Sequence, residues 1–288
     1  MQRIAPWLFV LLWSTGFIGA KFGLPHADPL AFLLVRYCAV LALVLPLVWI
    51  TRAPWPADLR TALHIGVAGL LVQATYLGGV FSAIALGLPS GVTSLIVGLQ
   101  PLITAALAGL ALGERVSPRQ WTGLVLALAG VALVLSGRAD LAAGVRVDFV
   151  QVLPALIALA GISIGTLYQK RFCPVFDLRT GTFLQFLPSA VVTAIIVFAG
   201  GRWRVDWQPE FLFALGWLTL VLSFGAMSLL HQLIRRGSAV AVASLFYLTP
   251  VVTAVMAYAL FGERLTPLQL GGMALAVAGV AAARGRAR

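Results

Sequence analysis

Side chains that could bind a ligand or carry a proton are few in this sequence, and they lie within long apolar stretches. Arg36 is the basic residue that lies well inside such a stretch. His231 also lies inside one, and histidine, with an unperturbed pKa of about 6.5, can gain or lose a proton near neutral pH. Amide, hydroxyl and aromatic side chains accompany them. The candidate binding residues are Trp13, Ser14, Arg36, Gln73, Tyr76, Gln100, Gln185, Trp217, His231 and Tyr247.

The acidic residues are placed differently, because all nine fall between the apolar stretches or at their ends. A carboxylate inside a membrane is the usual counter-ion for a cationic ligand and the usual proton carrier. Its absence favours ligands of little net charge, such as zwitterions, over cations. The two cysteines and the other residues show no metal-binding or catalytic spacing, so we expect no catalytic residue, no metal, no disulfide and no cofactor.

Arg36 lies about seven residues into the second apolar stretch, roughly 10 Å along a helix axis at 1.5 Å per residue. A guanidinium at that depth is costly unless it faces the protein interior or reaches back to the membrane surface. Two roles stay open for it. One is structural, by snorkelling or by a hydrogen bond between helices, and the other is the binding of a ligand carboxylate.

Two pairs of residues share helix faces, because residues three or four apart are neighbours on a helix. Gln73 and Tyr76 form one pair, Met227 and His231 form the other, and the two faces could point at each other across a cavity. His231 is either a structural hydrogen-bond partner or a group that couples transport to protons. The aromatic residues that could line a pocket for apolar groups are Trp13, Tyr76, Trp217 and Tyr247.

The composition is that of an all-α integral membrane protein. Soluble domains carry about a quarter charged residues, whereas 10% of these 288 residues are charged and 61% are hydrophobic. The net charge of +11 comes from basic residues at the ends of apolar stretches, as membrane topology requires, so no nucleic-acid partner is expected. The predicted transmembrane helices number ten, and they cover 4–22, 30–51, 61–86, 90–112, 118–136, 150–170, 179–199, 210–234, 238–261 and 267–284.

The chain repeats itself at a shift of 149 residues. Residues 99–132 and 248–281 are identical at 17 of 34 positions, and the matches include prolines and charged residues that composition alone does not explain. The shift also pairs Lys21 with Lys170. We therefore predict a duplication of five helices, with one copy at 1–148 and the other at 149–288.

An odd number of helices per copy means that the two copies cross the membrane in opposite senses. With a cytoplasmic N-terminus, 13 basic residues lie on the cytoplasmic side and six on the other, a bias that places both termini in the cytoplasm. Inverted repeats of this kind put a substrate site near the midplane between the copies, and motion around that site gives alternating access.

Two features recur in both copies. Pro101 and Pro250 each fall near the middle of a predicted span, where proline removes a backbone hydrogen bond, so each is either a packing kink or a hinge that lines the cavity. The Gly-Glu-Arg loops at 113–115 and 262–264 predict a charge pair that fixes a turn, with a binding role as the alternative. Lys21 and Lys170 are expected to anchor helix ends.

These residues resemble a known family. The stretches WSTGFIGAKFGLP at 13–25 and AFLLVRYCAVLAL at 31–43, and the Pro…GER…Pro…Gly pattern of both copies, are similar to the EamA branch of the drug/metabolite transporter superfamily. The chain is most similar to the YddG-type exporters of aromatic and other neutral amino acids. The resemblance implies ten helices in two inverted repeats, cytoplasmic termini and export of small metabolites. The second copy departs from the pattern, since Ile162 stands at the position of Trp13.

The sequence predicts a transporter of neutral amino acids and similar small metabolites, not an enzyme. It contains no GxxxxGK[ST] loop for ATP, so transport is secondary or facilitated. The alternatives are an exporter of cationic compounds, which requires an embedded carboxylate, and an intramembrane enzyme, for which only His231 is available. We expect a multi-pass protein of the bacterial inner membrane that works as a monomer, with its substrate and membrane lipid as partners.

Overall fold

The computed structural model describes residues 4–88, 93, 96–136, 148–173, 175–201, 203–261 and 266–283, without the side chains at 17, 18, 20, 21, 257, 260 and 261. The α-helices are α1 Ala5–Gly23, α2 Pro29–Ile50, α3 Leu59–Gly69, α4 Gly78–Ala85, α5 Gln100–Leu112, α6 Pro118–Ser136, α7 Phe149–Phe172, α8 Leu178–Ala199, α9 Pro209–Trp217, α10 Met227–Arg236, α11 Ala239–Ser244, α12 Leu248–Phe261 and α13 Pro267–Ala283. Two π-helical segments, Leu70–Leu77 and Leu218–Ala226, join α3 to α4 and α9 to α10, and 3-10 turns occupy Leu24–His26 and Leu245–Tyr247.

The protein is an all-α membrane protein, as predicted. Within the described residues, seven helices are long and apolar enough to cross a bilayer, and shorter apolar helices accompany them at Ala5–Gly16, Gln100–Leu112 and Pro267–Ala283. Large apolar side chains such as Trp49, Leu110 and Ile195 are more than half exposed, which suits helices that face the hydrocarbon of a lipid bilayer. The count of ten spans stays a prediction, because the fourth predicted span includes residues outside the described part of the chain.

The third and eighth predicted spans are long rods that each contain a π-helical segment. The rods run over Leu59–Ala85 and Pro209–Arg236, and their π segments, Leu70–Leu77 and Leu218–Ala226, nearly coincide at the repeat shift. A π-helical turn widens the backbone and leaves carbonyl oxygens free for other donors, and such turns occur often at functional sites.

The ninth predicted span is interrupted, and the described part of the fourth shows the same feature. A 3-10 turn at Leu245–Tyr247 separates α11 from α12, and a turn at 98–99 precedes α5. Pro101 and Pro250 follow these turns and lie in the first residues of α5 and α12. Each proline cannot donate to the carbonyl four residues back, at Val97 or Phe246, which accounts for the distortion in that turn. The hinge role stays a prediction.

The helices of the two sequence copies are interleaved. Helix α1 of the first copy packs on α9, the second π segment and α12, which belong to the second copy. Helix α7, its counterpart in the second copy, packs on α3, the first π segment, α4 and α5 of the first copy. The second helices of the copies, α2 and α8, pack on each other. The first helix of each copy is therefore part of the other copy's bundle.

The helices α6 and α13 end the two copies and pack against each other in antiparallel orientation. A Cβ atom on Gly272 would lie 2.7 Å from the Gly130 oxygen, and one on Gly279 would lie 2.4 Å from the Ala127 nitrogen. Small residues permit such close approach of two helices in lipid. Both helices begin with the same capping box, in which Ser117 and Gln120 in α6, and Thr266 and Gln269 in α13, exchange hydrogen bonds between side chain and backbone.

This contact predicts opposite effects for two neighbouring glycines of α13. Gly272→Ala should lower the stability of the purified protein by about 1–3 kcal/mol, because the new methyl group overlaps the backbone of α6. Gly271→Ala is the matched control, since nothing lies within 4 Å of its Cβ position and alanine favours a helix more than glycine. Thermal unfolding in detergent measures both. Equal unfolding temperatures for the two variants would contradict the packing described here.

Candidate functional site

Arg36 lies in the first half of α2, and its guanidinium points into the helix bundle with 3% of the residue exposed. Its Nε and Nη2 atoms donate hydrogen bonds of 3.2 and 3.1 Å to the Ser223 hydroxyl, which donates in turn to the Leu218 carbonyl at 3.2 Å. Among the described residues, no carboxylate forms an ion pair with it. Arg36 thus forms a hydrogen bond from α2 to the second π segment and does not extend to the membrane surface. The positive charge is buried without a negative partner in the described part of the chain.

The residue after Arg36 makes the matching contact on the other side of α2. Tyr37 donates from its hydroxyl to the Gln73 carbonyl at 2.9 Å, and Gln73 belongs to the first π segment. Adjacent residues of α2 therefore hold both π segments, with Ser223 in the second. The Gln73 side chain is buried as well, and its Nε2 atom has no hydrogen-bond partner.

A second group of candidates surrounds the interrupted helices. The Trp13 ring lies 5.3 Å from the Phe246 ring, and the Ser14 hydroxyl donates to the Val10 carbonyl at 2.7 Å and to the Thr249 carbonyl at 3.3 Å. Phe246 and Gln100 line a small cavity of about 10 Å³, which has room for about one water molecule. The other residues that line it are Thr166, Ile234, Ala239, Val242 and Ala243.

Several polar atoms around these interruptions are buried without a hydrogen-bond partner. They include the hydroxyls of Ser163, Tyr247 and Thr249, and these residues are 0%, 1% and 4% exposed. Thr249 stands at the repeat position of Gln100, and Ser163 at that of Ser14. Each unpaired buried polar group costs about 1–3 kcal/mol, so a water molecule or a ligand that supplied hydrogen bonds here would be stabilised.

A third group contains Gln185 and His231, on either side of Phe176 in the segment that joins α7 to α8. The Gln185 Nε2 atom donates to Gln169 Oε1 at a long 3.5 Å, and Gln185 Oε1 and Gln169 Nε2 have no partner. The His231 ring packs edge-on against Phe176 at 5.6 Å, and its Nε2 atom is also without a partner. A Cβ on Gly181, one turn before Gln185 on α8, would lie 2.1 Å from the Phe176 ring. Phe176 thus lies between His231 and the helix that carries Gln185.

The two remaining aromatic candidates, Trp217 and Tyr76, differ in burial. Trp217 is 37% exposed, stacks on Phe213, and donates from Nε1 to the Thr15 hydroxyl at 3.0 Å. It therefore lies at the surface of the bundle, outside the buried polar groups. Tyr76 is buried in the first π segment, beside Gly161 of α7.

The loop glutamate has different partners from those expected. Glu114 Oε1 lies 2.5 Å from Lys170 Nζ, whereas no ion pair involves Arg115 in the part of the chain described. Lys170 lies in the last turn of α7, at the helix end where it was expected, and there it pairs with Glu114. The second-copy loop 262–264 and the Lys21 side chain lie outside the described residues.

Sequence reasoning also missed Ser223, Phe246 and Thr249 as members of the candidate site. Of these, Thr249 could have been found, since it pairs with Gln100 at the repeat shift. Phe246 carried no signal in the sequence, and the partnership of Ser223 with Arg36 joins residues 187 positions apart.

Comparisons with known proteins match nearly the whole chain. A model described as the EamA-like transporter family matches residues 5–136 and 150–284. Two relatives named probable amino-acid metabolite efflux pump, from Salmonella typhimurium and Escherichia coli K12, are each 26% identical over 95% of this chain and 91% of their own. An uncharacterised inner membrane transporter of E. coli K12, YedA, is 26% identical over 90% of this chain and 82% of its own. A solved structure, described only as the crystal structure of a protein, has a TM-score of 0.77 at 22% identity and covers 97% of this chain and 95% of that one.

The geometry around Arg36 predicts the effect of removing its partner. Ser223→Ala should lower stability by about 1–2 kcal/mol, because a buried charged donor loses the hydroxyl that accepts from it. Ser136→Ala is the matched control, since that hydroxyl is exposed and donates only to the Leu133 carbonyl of its own helix. Thermal unfolding of the two variants in detergent measures the difference. If both unfold at the temperature of the unsubstituted protein, the Arg36–Ser223 contact contributes nothing to stability.

Proposed function

The chain belongs to the EamA-like transporter family, and on that premise we propose that it is a secondary transporter that exports neutral amino acids, aromatic ones included, and similar small metabolites. The names of two relatives, probable amino-acid metabolite efflux pump, support this substrate class. The motif likeness to YddG-type amino-acid exporters supports it as well.

The observation that carries the proposal is the buried Arg36 guanidinium. A charge taken out of water needs a counter-charge or several hydrogen bonds to compensate for the lost hydration. Arg36 has the Ser223 hydroxyl and no ion-paired carboxylate among the described residues. A substrate carboxylate matches the planar fork of donors that an arginine presents. Amino acids carry that group, and the zwitterion adds no net charge to the site.

The second group of candidates, around the interrupted helices, suits the rest of such a molecule. The rings of Phe9, Trp13 and Phe246 lie 5.3–5.5 Å apart and form an apolar, aromatic surface. Amide groups such as Gln100 offer oxygen atoms to an ammonium group. The described carboxylates lie outside the predicted spans or at their ends, so an exporter of cationic compounds would lack the counter-ion that such substrates require.

Alternating access would explain why these candidate binding groups are buried from solvent in this structure. The cavity beside Gln100 has room for about one water molecule, and Arg36 is 3% exposed, so a substrate reaches them only after helices move apart. The interrupted helices and the π segments are the places where the fewest regular backbone bonds oppose such motion. We further propose that both termini lie in the cytoplasm of a bacterial cell, as the bias of basic residues predicts.

Uptake into proteoliposomes tests the substrate class. We expect saturable transport of phenylalanine, tryptophan, threonine and methionine, with glutamate, lysine and a quaternary-ammonium drug excluded, because the described residues of the site offer one positive charge and no negative one. Runs with and without a pH gradient show whether protons are coupled. Transport of the drug alone would overturn the proposal.

Substitution of Arg36 tests its role with a matched control. Arg36→Gln should raise the KM for phenylalanine by about 10- to 100-fold, because a charged hydrogen bond contributes about 1.5–3 kcal/mol. It should also abolish the preference for phenylalanine over phenethylamine, which lacks the carboxylate. Arg119→Gln, at an exposed position of α6, should change neither value. A purely structural Arg36 would reduce transport while keeping the preference for the carboxylate.

A further inference from the structure

We propose that Glu114 and Lys170 form a gate that closes the substrate path on the membrane face that carries the loop between α5 and α6. The inference rests on the proposed transport function and adds to it the residues that separate the site from one side of the membrane.

The two side chains join three segments that are distant in sequence. Lys170, in the last turn of α7, donates from Nζ to Glu114 Oε1 at 2.5 Å and to the Gly237 carbonyl at 2.7 Å. Both carboxylate oxygens of Glu114 accept from the Ala239 backbone nitrogen at 3.1 Å. The end of α7, the loop after α5 and the start of α11 are thus held together by one ion pair and its hydrogen bonds.

This ion pair lies next to the small cavity. Ala239 lines the cavity and its backbone nitrogen donates to Glu114. Thr166 lines the cavity too, one turn before Lys170 on the same helix. Gln100, a third residue of the lining, begins the helix that ends next to Glu114. Three elements that enclose the cavity therefore meet again at the ion pair.

The chemistry of the contact suits a gate that opens and closes. The side chains of Lys170 and Glu114 are 22% and 19% exposed, so the pair is partly hydrated where it stands. When the pair separates, water can solvate both charges. Separation of a fully buried pair would instead leave two charges without water or a partner. The contact can therefore break without leaving a buried, unpaired charge.

Cysteine labelling in the full-length protein tests the gate without a substrate. The reporter is Ala243→Cys, which lines the cavity and is 2% exposed, in a chain whose own cysteines are replaced (Cys38→Ser, Cys173→Ala). A membrane-impermeant maleimide is added to each side of sealed vesicles. A second reporter, Arg119→Cys, is exposed near the start of α6 and shows which side carries the gate.

Glu114→Gln and Lys170→Met should each raise the labelling rate of the Ala243 reporter from that side by about tenfold, which corresponds to about 1.4 kcal/mol in favour of the open state. Asp177→Asn is the control, because it breaks another ion pair, the Asp177–Arg179 pair of 2.7 Å, whose residues do not line the cavity. It should leave the labelling rate unchanged.

A reporter at Ala83, fully buried in a cluster with Leu88 and Ala155, distinguishes opening from unfolding. Unchanged labelling at Ala243 in both gate variants overturns the proposal. Labelling at both Ala243 and Ala83 in both variants also overturns it, since the pair would then hold the fold together. If only one variant unfolds, the other decides. Because no substrate is used, a failed amino-acid uptake assay leaves this result standing, and a failed gate leaves the substrate class standing.

Discussion

In the apolar interior of a bilayer no water is present to satisfy a polar group, so each one must find its partner within the protein. This constraint explains where the chain departs from regular α-helix. The departures are the π segments at Leu70–Leu77 and Leu218–Ala226 and the interruptions before Pro101 and Pro250. Polar side chains gather at these places, because irregular backbone frees carbonyl groups that Ser223 and Tyr37 then use. Backbone irregularity and candidate chemistry therefore coincide in the first two groups of candidates, whereas Gln185 and His231 lie in regular helices.

The two copies that the sequence repeat predicts share parts of their framework but not the same candidate chemistry. The capping boxes that open α6 and α13 and the antiparallel contact between these helices repeat faithfully. The candidate site does not repeat, because Arg36 of the first copy corresponds in sequence to Gln185 of the second, and Trp13 corresponds to Ile162. The first copy therefore carries a buried guanidinium, at Arg36, whereas the corresponding residue of the second copy, Gln185, is uncharged.

Interleaving of the copies limits which parts of the bundle can move. Helix α1 packs within the second copy, and α7 packs within the first. The two halves of the sequence therefore cannot rock as separate bodies without pulling α1 and α7 out of their packing. The proposed alternating access would therefore separate groups of helices drawn from both copies. The contact of Glu114 with Lys170 and with the start of α11 links elements of both copies in this way.

The sequence by itself determined the membrane class, the family, and the bounds of several helices within a few residues, as at Pro118–Ser136, Phe149–Phe172 and Leu178–Ala199. These follow from composition, apolar length and the repeat, which are local properties of the chain. The tertiary structure decided what the side chains contact: Arg36 with Ser223, Glu114 with Lys170 in place of Arg115, and Trp217 at the surface. In a soluble helix the polar side marks the outward face, whereas a membrane helix is apolar all round and carries no such mark. Lipid and protein interior are equally apolar, so only the packing of distant segments shows which side chains meet.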